Sequence, residues 1–291
     1  MRIATAPINW NNEDVPGYRP NTPYPKILDE IVRAGYATTE WSASLPEDPA
    51  ELGPDLQRRG LGLLGAFVAM NLRDEATRAS EVRRAVARAA FLKELGARYL
   101  VASDDGDAAR LGAAGHAEHA PTMSDDQLAG MARALEELAR TVRAMGVTLV
   151  FHPHVGTYVE TPGEIDRLFA GTDPELVGWC LDTGHQVYGG ADLRALVRAH
   201  GARVRYVHLK DVDRSVLAES RRRGWSFQDA LQRFVFCPLG SGMVPLAEIL
   251  EVLAGDGYEG WLVIEQDTTA DDPTENAMRN RQWLERLLGN L

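Results

Sequence analysis

The sequence predicts an α/β fold of the (β/α)8 TIM-barrel class, and three observations carry that expectation. Eight short β-rich runs alternate with longer helix-periodic stretches from end to end. The length of 291 residues suits eight such units. No glycine-rich nucleotide loop of an open doubly wound sheet is present, because the glycines of "GLGLLG" lie inside a strand pattern.

The expected strands are residues 2–8 ("RIATAPI"), 37–42 ("ATTEWS"), 61–68 ("LGLLGAFV"), 97–103 ("ARYLVAS"), 147–154 ("VTLVFHPH"), 176–183 ("LVGWCLDT"), 204–211 ("VRYVHLKD") and 260–267 ("GWLVIEQD"). Between them, "YPKILDEIVRAG", "EVRRAVARAAFLKELGA" and "SDDQLAGMARALEELARTVRAMG" repeat apolar residues at three- and four-residue spacing and close on or near glycine, as amphipathic helices do. Residues 213–244, between the seventh and eighth strands, form an insertion expected to lie over the barrel mouth as a lid. The chain reads as one domain over 1–291, with no low-complexity linker.

Composition narrows the function. Hydrophobic residues make up 45% and charged residues 25%, which describes an ordinary globular chain. Thirty-one basic against 42 acidic residues give a net charge of −11, which opposes binding to nucleic acid or anionic membranes. No apolar run reaches the length of a membrane span, and "MRIATAPINW" lacks a signal-peptide pattern, so a cytoplasmic protein is expected. Cys180 and Cys237 lie far apart in apolar runs and are expected to be reduced, buried thiols. The basic run Arg221–Arg223 is expected to be a solvated or carboxylate-paired loop.

In a barrel of this class the site is built at the C-terminal ends of the strands. Those ends are polar here: Glu40, His152, Asp182, His208 and Glu265. "WCLD", "YVH" and "LVIE" repeat one pattern, an apolar run followed by a metal-competent side chain where the run emerges. Asp182 alone would read as a helix N-cap. Four such residues in succession, buried together, are satisfied by a divalent cation. The set His152, Asp182, His208 and Glu265 is mixed nitrogen and oxygen without thiolate, which suits Mn or Co, with Mg or Zn as alternatives. His154 competes with His152 for the fifth-strand position, because Pro153 between them can re-aim the chain.

The residues also carry a resemblance. "APINWNNEDVP", "LPEDPAEL", "FHPHVGTYVET", "LDTGH", "HLKD", "SFQDALQRFVFCPLGSGMV" and "GWLVIEQD" span nearly the whole chain and resemble the xylose-isomerase-like barrel superfamily. Within it the chain is most similar to the 2-keto-myo-inositol (inosose) dehydratases of inositol catabolism. "LDTGH" and "HLKD" are widespread in the superfamily, whereas "HPHVGT" and "VFCPLGSG" are narrower. The resemblance implies a sugar-isomerase-type metal site with His152 where many members carry Glu, and an acidic residue where this chain has Ser241.

The chemistry such a site supports is proton movement on a metal-bound carbonyl compound through an enediolate. A metal-dependent hydro-lyase acting on a keto-inositol is the leading expectation, with a sugar isomerase or epimerase acting on a ketose or keto-polyol as runner-up. Glu40, His154, His185 and Lys210 are the candidate proton carriers, although Lys210 can instead pair with Asp211 or Asp182 and only orient the site. A DNA-repair endonuclease would need further histidines from early strands, which this chain lacks, and a non-catalytic binding barrel would not need polar strand ends. The substrate is expected to be unphosphorylated, because the "LGSG" glycines are the one candidate anion site and no basic residue adjoins them. His116 and His119 read as a solvated loop and His200 as a helix terminus. Trp10, Trp41 and Trp225 could wall a polyol pocket. Homo-oligomerisation is compatible with all of this.

Overall fold

The structure, a computed structural model, describes residues 1–12, 14, 15, 17–116, 118 and 120–290. Eight parallel strands close into a barrel: β1 (Arg2–Thr5), β2 (Thr38–Trp41), β3 (Gly62–Met70), β4 (Tyr99–Asp104), β5 (Thr148–Phe151), β6 (Gly178–Asp182), β7 (Val204–Leu209) and β10 (Trp261–Ile264). All eight fall within or overlap the expected runs. β10 pairs with β1 on one side and β7 on the other, so the sheet has no open edge.

The helices follow from their sequences. α1 (Tyr24–Arg33), α2 (Pro49–Arg59) and α3 (Glu75–Glu94) cover β1 to β3, and α5 (Asp125–Arg143) follows the one-turn helix α4 (Ala108–Gly112). Ser124 and Gln127 form a reciprocal capping box at the start of α5, and Thr161 and Glu164 form one at the start of α6 (Pro162–Ala170). Then come α7 (Thr183–Tyr188), α8 (Leu193–His200), α9 (Arg214–Arg223), α10 (Phe227–Leu231), α11 (Leu246–Gly255) and α12 (Pro273–Leu288).

Two apolar layers result. The larger lies between strands and helices, and the smaller fills the barrel, with Ala4, Ala6, Leu64, Val101, Val150, Cys180, Tyr206 and Val263 packed together. That inner layer sets the position of the site. Strand side chains alternate, so the residue two beyond an inward one also faces inward. Two residues past Val150, Cys180, Tyr206 and Val263 stand His152, Asp182, His208 and Glu265.

The insertion folds as α9 and α10, followed by β9 (Phe236–Cys237), which pairs antiparallel with β8 (Asp211–Val212). Arg221–Arg223 form the last turn of α9 rather than a loop; Arg222 and Arg223 pair with Glu219. Cys180 is buried, Cys237 is half-buried, and both are free thiols. Among the described residues, no helix is long and apolar enough to cross a membrane.

Candidate active site

The four strand-end residues meet at the C-terminal mouth. His152 Nε2 lies 3.3 Å from Asp182 Oδ2. His208 Nδ1 lies 3.7 Å from the same oxygen and 3.2 Å from Glu265 Oε2. All four side chains are buried. Their convergence comes from strand register, since Asp182 pairs with His208, and His208 with Val263, two residues before Glu265.

Asp182 is the N-cap of α7, one of its two sequence readings. Its Oδ1 accepts from the N–H groups of Gly184 and His185 (2.9 and 2.8 Å), capping α7, and that lock leaves Oδ2 facing His152 and His208. Gly184 permits the arrangement, because a Cβ there would stand 2.5 Å from the Lys210 side chain.

Both histidines of "FHPH" lie beyond the end of β5 at Phe151, a shorter strand than expected. His152 N still donates to Ala102 O (2.7 Å), but Pro153 has no N–H with which to extend the ladder. His154 then turns back and its Nδ1 donates to Val155 O (2.8 Å). Its ring stacks on His185 at 3.8 Å, and burial pushes the imidazole down to about 3. Burial also holds His152 below its ordinary value, and His185 well below. Phe227 of α10 and Phe236 of β9 pack on His185, so the insertion covers this side of the mouth.

Lys210 is enclosed by carboxylates: Glu265 at 2.7 Å, Asp267 at 3.1 Å and Asp182 at 3.2 Å. Burial opposes its charge, but Asp182, Asp267 and Glu265 raise it well above the usual lysine value. Burial likewise works against a charged His208, which Glu265 and Glu40 raise well above the imidazole range. Lys210 does not pair with Asp211. The Asp211 carboxylate turns to the "LGSG" loop instead, with Oδ2 accepting from Gly240 and Gly242 N–H (both 2.9 Å) and Oδ1 from Val212 (2.8 Å) and Val244 (3.0 Å). The expected anion site is therefore filled by the chain's own carboxylate. Gly242 is required there, since a Cβ would fall 2.3 Å from Asp211 Oδ1.

A cavity of about 230 Å³ opens over this cluster, lined by Glu40, His152, His154, His208, Lys210, Glu265 and Asp267, with Trp41 and Phe67 as apolar walls. His185 lies behind His154, outside the lining. Trp10 is buried and bonded to Thr274, and Trp225 packs against Arg233, so neither walls the cavity. His116 is half-buried beside α4, His200 pairs with Asp166 at 2.6 Å, and His119 lies outside the described residues. Asn11 and Asn12 also line the cavity, and sequence reasoning singled out neither of them nor Asp267. Of these only Asp267, in "LVIEQD", carried a signal, the second carboxylate two residues past Glu265.

A closed eight-stranded barrel with a buried histidine–carboxylate cluster at its C-terminal mouth defines a class of small-molecule enzymes. The model of the xylose isomerase-like TIM barrel family matches residues 28–287, and the chain belongs to that family. It is 32% identical over 295 residues to an inosose dehydratase of Geobacillus kaustophilus (strain HTA426), covering 100% of this chain and 96% of the relative. It is 36% identical over 289 residues to the rhizopine catabolism protein MocC of Rhizobium meliloti, covering 99% and 88%. The crystal structure of the IolI protein with a zinc atom bound has a TM-score of 0.73, covering 100% of this chain and 99% of that one at 18% identity, a likeness of fold. With full-length relatives of this kind the chain is a sugar-modifying enzyme of the lyase class.

Proposed function

We propose that the protein eliminates water from an unphosphorylated keto-inositol of the 2-keto-myo-inositol type, with a divalent cation held by His152, Asp182, His208 and Glu265. The observation that carries this reading is the run of close contacts His152–Asp182–His208–Glu265 at the buried mouth, two imidazoles and two carboxylates linked at 3.3, 3.7 and 3.2 Å, with His208 Nδ1 turned to both carboxylates. The donor set fits such an ion. Four buried carboxylates face two cationic side chains, Asp182, Glu265 and Asp267 surrounding the Lys210 ammonium and Glu40 accepting from His208, a charge excess that a cation offsets. The inosose dehydratase relatives support the reaction, and the zinc of the IolI protein supports the ion. The filling of the glycine loop by Asp211 supports a substrate without phosphate.

When bound, the cation would act as a Lewis acid toward the substrate carbonyl and adjacent hydroxyl, acidifying the α C–H. The chain's own groups supply the rest. His154 faces the cavity and commits its Nδ1–H to Val155 O, which leaves Nε2 as a lone pair toward the α proton; because burial holds this imidazole down to about 3, it takes that proton only transiently and from an already acidified C–H. The C–H electron pair becomes the new C=C bond, and the β-hydroxyl leaves as water with a proton from a second cavity group. Lys210, held charged, donates hydrogen bonds and offsets negative charge growing on the substrate oxygens. Trp41 and Phe67 shield the C–H faces from solvent.

The test is incubation with a panel of keto-inositols and ketoses, with Mn or Co added. The expected result is rising absorbance from a conjugated enol or dione, abolished by a chelator and restored by metal. Interconversion of ketose isomers without loss of water, at higher kcat/KM than any keto-inositol turnover, overturns the reading in favour of an isomerase or epimerase.

A further inference from the structure

Glu40 stands on β2, where the pairing with β3 slips between Thr39 and Trp41, an irregularity of the kind that re-aims a side chain beside a site. Its Oε1 accepts two hydrogen bonds from a single strand, β7, across the barrel. The Tyr206 hydroxyl donates at 2.6 Å and His208 Nε2–H at 2.8 Å. Tyr206 and His208 are alternate residues of β7, both facing into the barrel, with ring centroids 5.5 Å apart.

An ionised carboxylate only accepts, so the proton of a neutral His208 ring must sit on Nε2. A ring that gives up its other proton to bind a cation therefore does so at Nδ1. That nitrogen is buried and faces Glu265 Oε2 at 3.2 Å and Asp182 Oδ2 at 3.7 Å. In the chain alone the Nδ1 proton of the charged ring and the Lys210 ammonium lie among these oxygens, and a divalent cation would take the place of that proton. Metal-binding histidines generally hold their other N–H on a carboxylate in this way, and the partner sets tautomer and ring orientation.

We infer that Glu40 and Tyr206 are a positioning pair that holds His208 by its Nε2–H and turns Nδ1 to the site as the nitrogen offered to a cation, and so sets the affinity of the barrel mouth for its divalent cation. The inference rests on the metal reading above and goes beyond it. It takes Glu40 from the candidate proton carriers and gives it work through His208. Tyr206 has a part as well, because its hydroxyl occupies a second acceptor position on Oε1, and the carboxylate cannot rotate without breaking two bonds. Glu40, His208 and Glu265 also lie close enough to hold an ion themselves, which makes a ligand role for Glu40 the competing outcome.

The test is Co(II) titration of chelator-stripped protein, followed by calorimetry and by the visible d–d bands, for wild type, Glu40→Gln, Glu40→Ala, Tyr206→Phe, His208→Ala and Asp182→Ala. Glu40→Ala is expected to raise Kd about 10- to 100-fold while retaining one Co(II) per chain with altered bands. Tyr206→Phe, which keeps the buried ring, is expected to weaken binding less. Glu40→Gln is expected to recover part of the loss, since its amide oxygen still accepts from Nε2–H. Wild-type affinity and bands in both Glu40→Ala and Tyr206→Phe, with binding lost in Asp182→Ala, overturn the inference and leave the metal reading standing. Binding abolished in Glu40→Ala but unchanged in Tyr206→Phe overturns it too, making Glu40 a ligand. Wild-type binding in both Asp182→Ala and His208→Ala removes the metal reading itself, and the inference with it.

Discussion

Two clusters of buried charge sit at the C-terminal face of this barrel, and they are built in opposite ways. On the β3–β4 side, Arg73 reaches Asp104 at 2.6 Å, and Asp104 also accepts from Gly106 and Tyr158 N–H. Nearby, Arg110 makes paired bonds to Glu164 (2.8 and 3.0 Å), while Glu160 accepts from Gly115 and Gly156 N–H. In that region guanidinium and amide donors meet every carboxylate. At the centre of the mouth, carboxylates outnumber cations, an imidazole nitrogen is orphaned, and the group opens on a cavity. Buried charge by itself therefore marks stability as readily as function. Each cluster holds a buried nitrogen without a partner, Arg110 Nε in one and His152 Nδ1 in the other, so the surplus of carboxylate facing a cavity is what separates the site from the structural network.

Removing one cation from each cluster tests that distinction most strongly. Lys210→Met strips the ammonium from Asp182, Glu265 and Asp267, and is expected to lower kcat about 10²-fold or more and to destabilise the metal-free chain by about 3–5 kcal/mol. Part of that stability should return on adding Mn or Co, read by thermal unfolding with and without metal. Arg73→Met is expected to cost a similar ~3–5 kcal/mol, because it leaves buried Asp104 without its counter-charge, while leaving kcat and KM of the folded fraction near wild type. A large fall in kcat there would break the comparison.

Asp211→Asn comes next, since it replaces one acceptor oxygen that holds two backbone N–H groups. A loss of about 1–3 kcal/mol is expected, with a smaller kcat penalty than for Lys210→Met, measured by denaturant unfolding and steady-state kinetics. The smallest effect is expected at Ser241, an exposed turn residue that hydrogen-bonds Pro238 O. Ser241→Asp should change stability by no more than about 0.5 kcal/mol and leave keto-inositol turnover nearly unchanged. A marked shift in substrate preference would show that this loop selects the substrate.

The sequence by itself determined the barrel and the layer in which the site lies. Strand periodicity is local, so an apolar run followed by His152, Asp182, His208 or Glu265 on the same face is legible without a structure. The Asp211 contact was not legible, because "HLKD" places two opposite charges side by side while the strand sends Lys210 inward and Asp211 to the insertion. Neither was the end of β5, where Pro153 stops the ladder and turns His154 onto Val155. Tyr206 was hidden by its own position, reading as one more core aromatic in "VRYVHL". Its bond to Glu40 joins residues 166 apart in the chain. Only closure of the barrel brings β2 and β7 within reach of each other, and a hydrogen bond between distant strands has no local pattern to betray it.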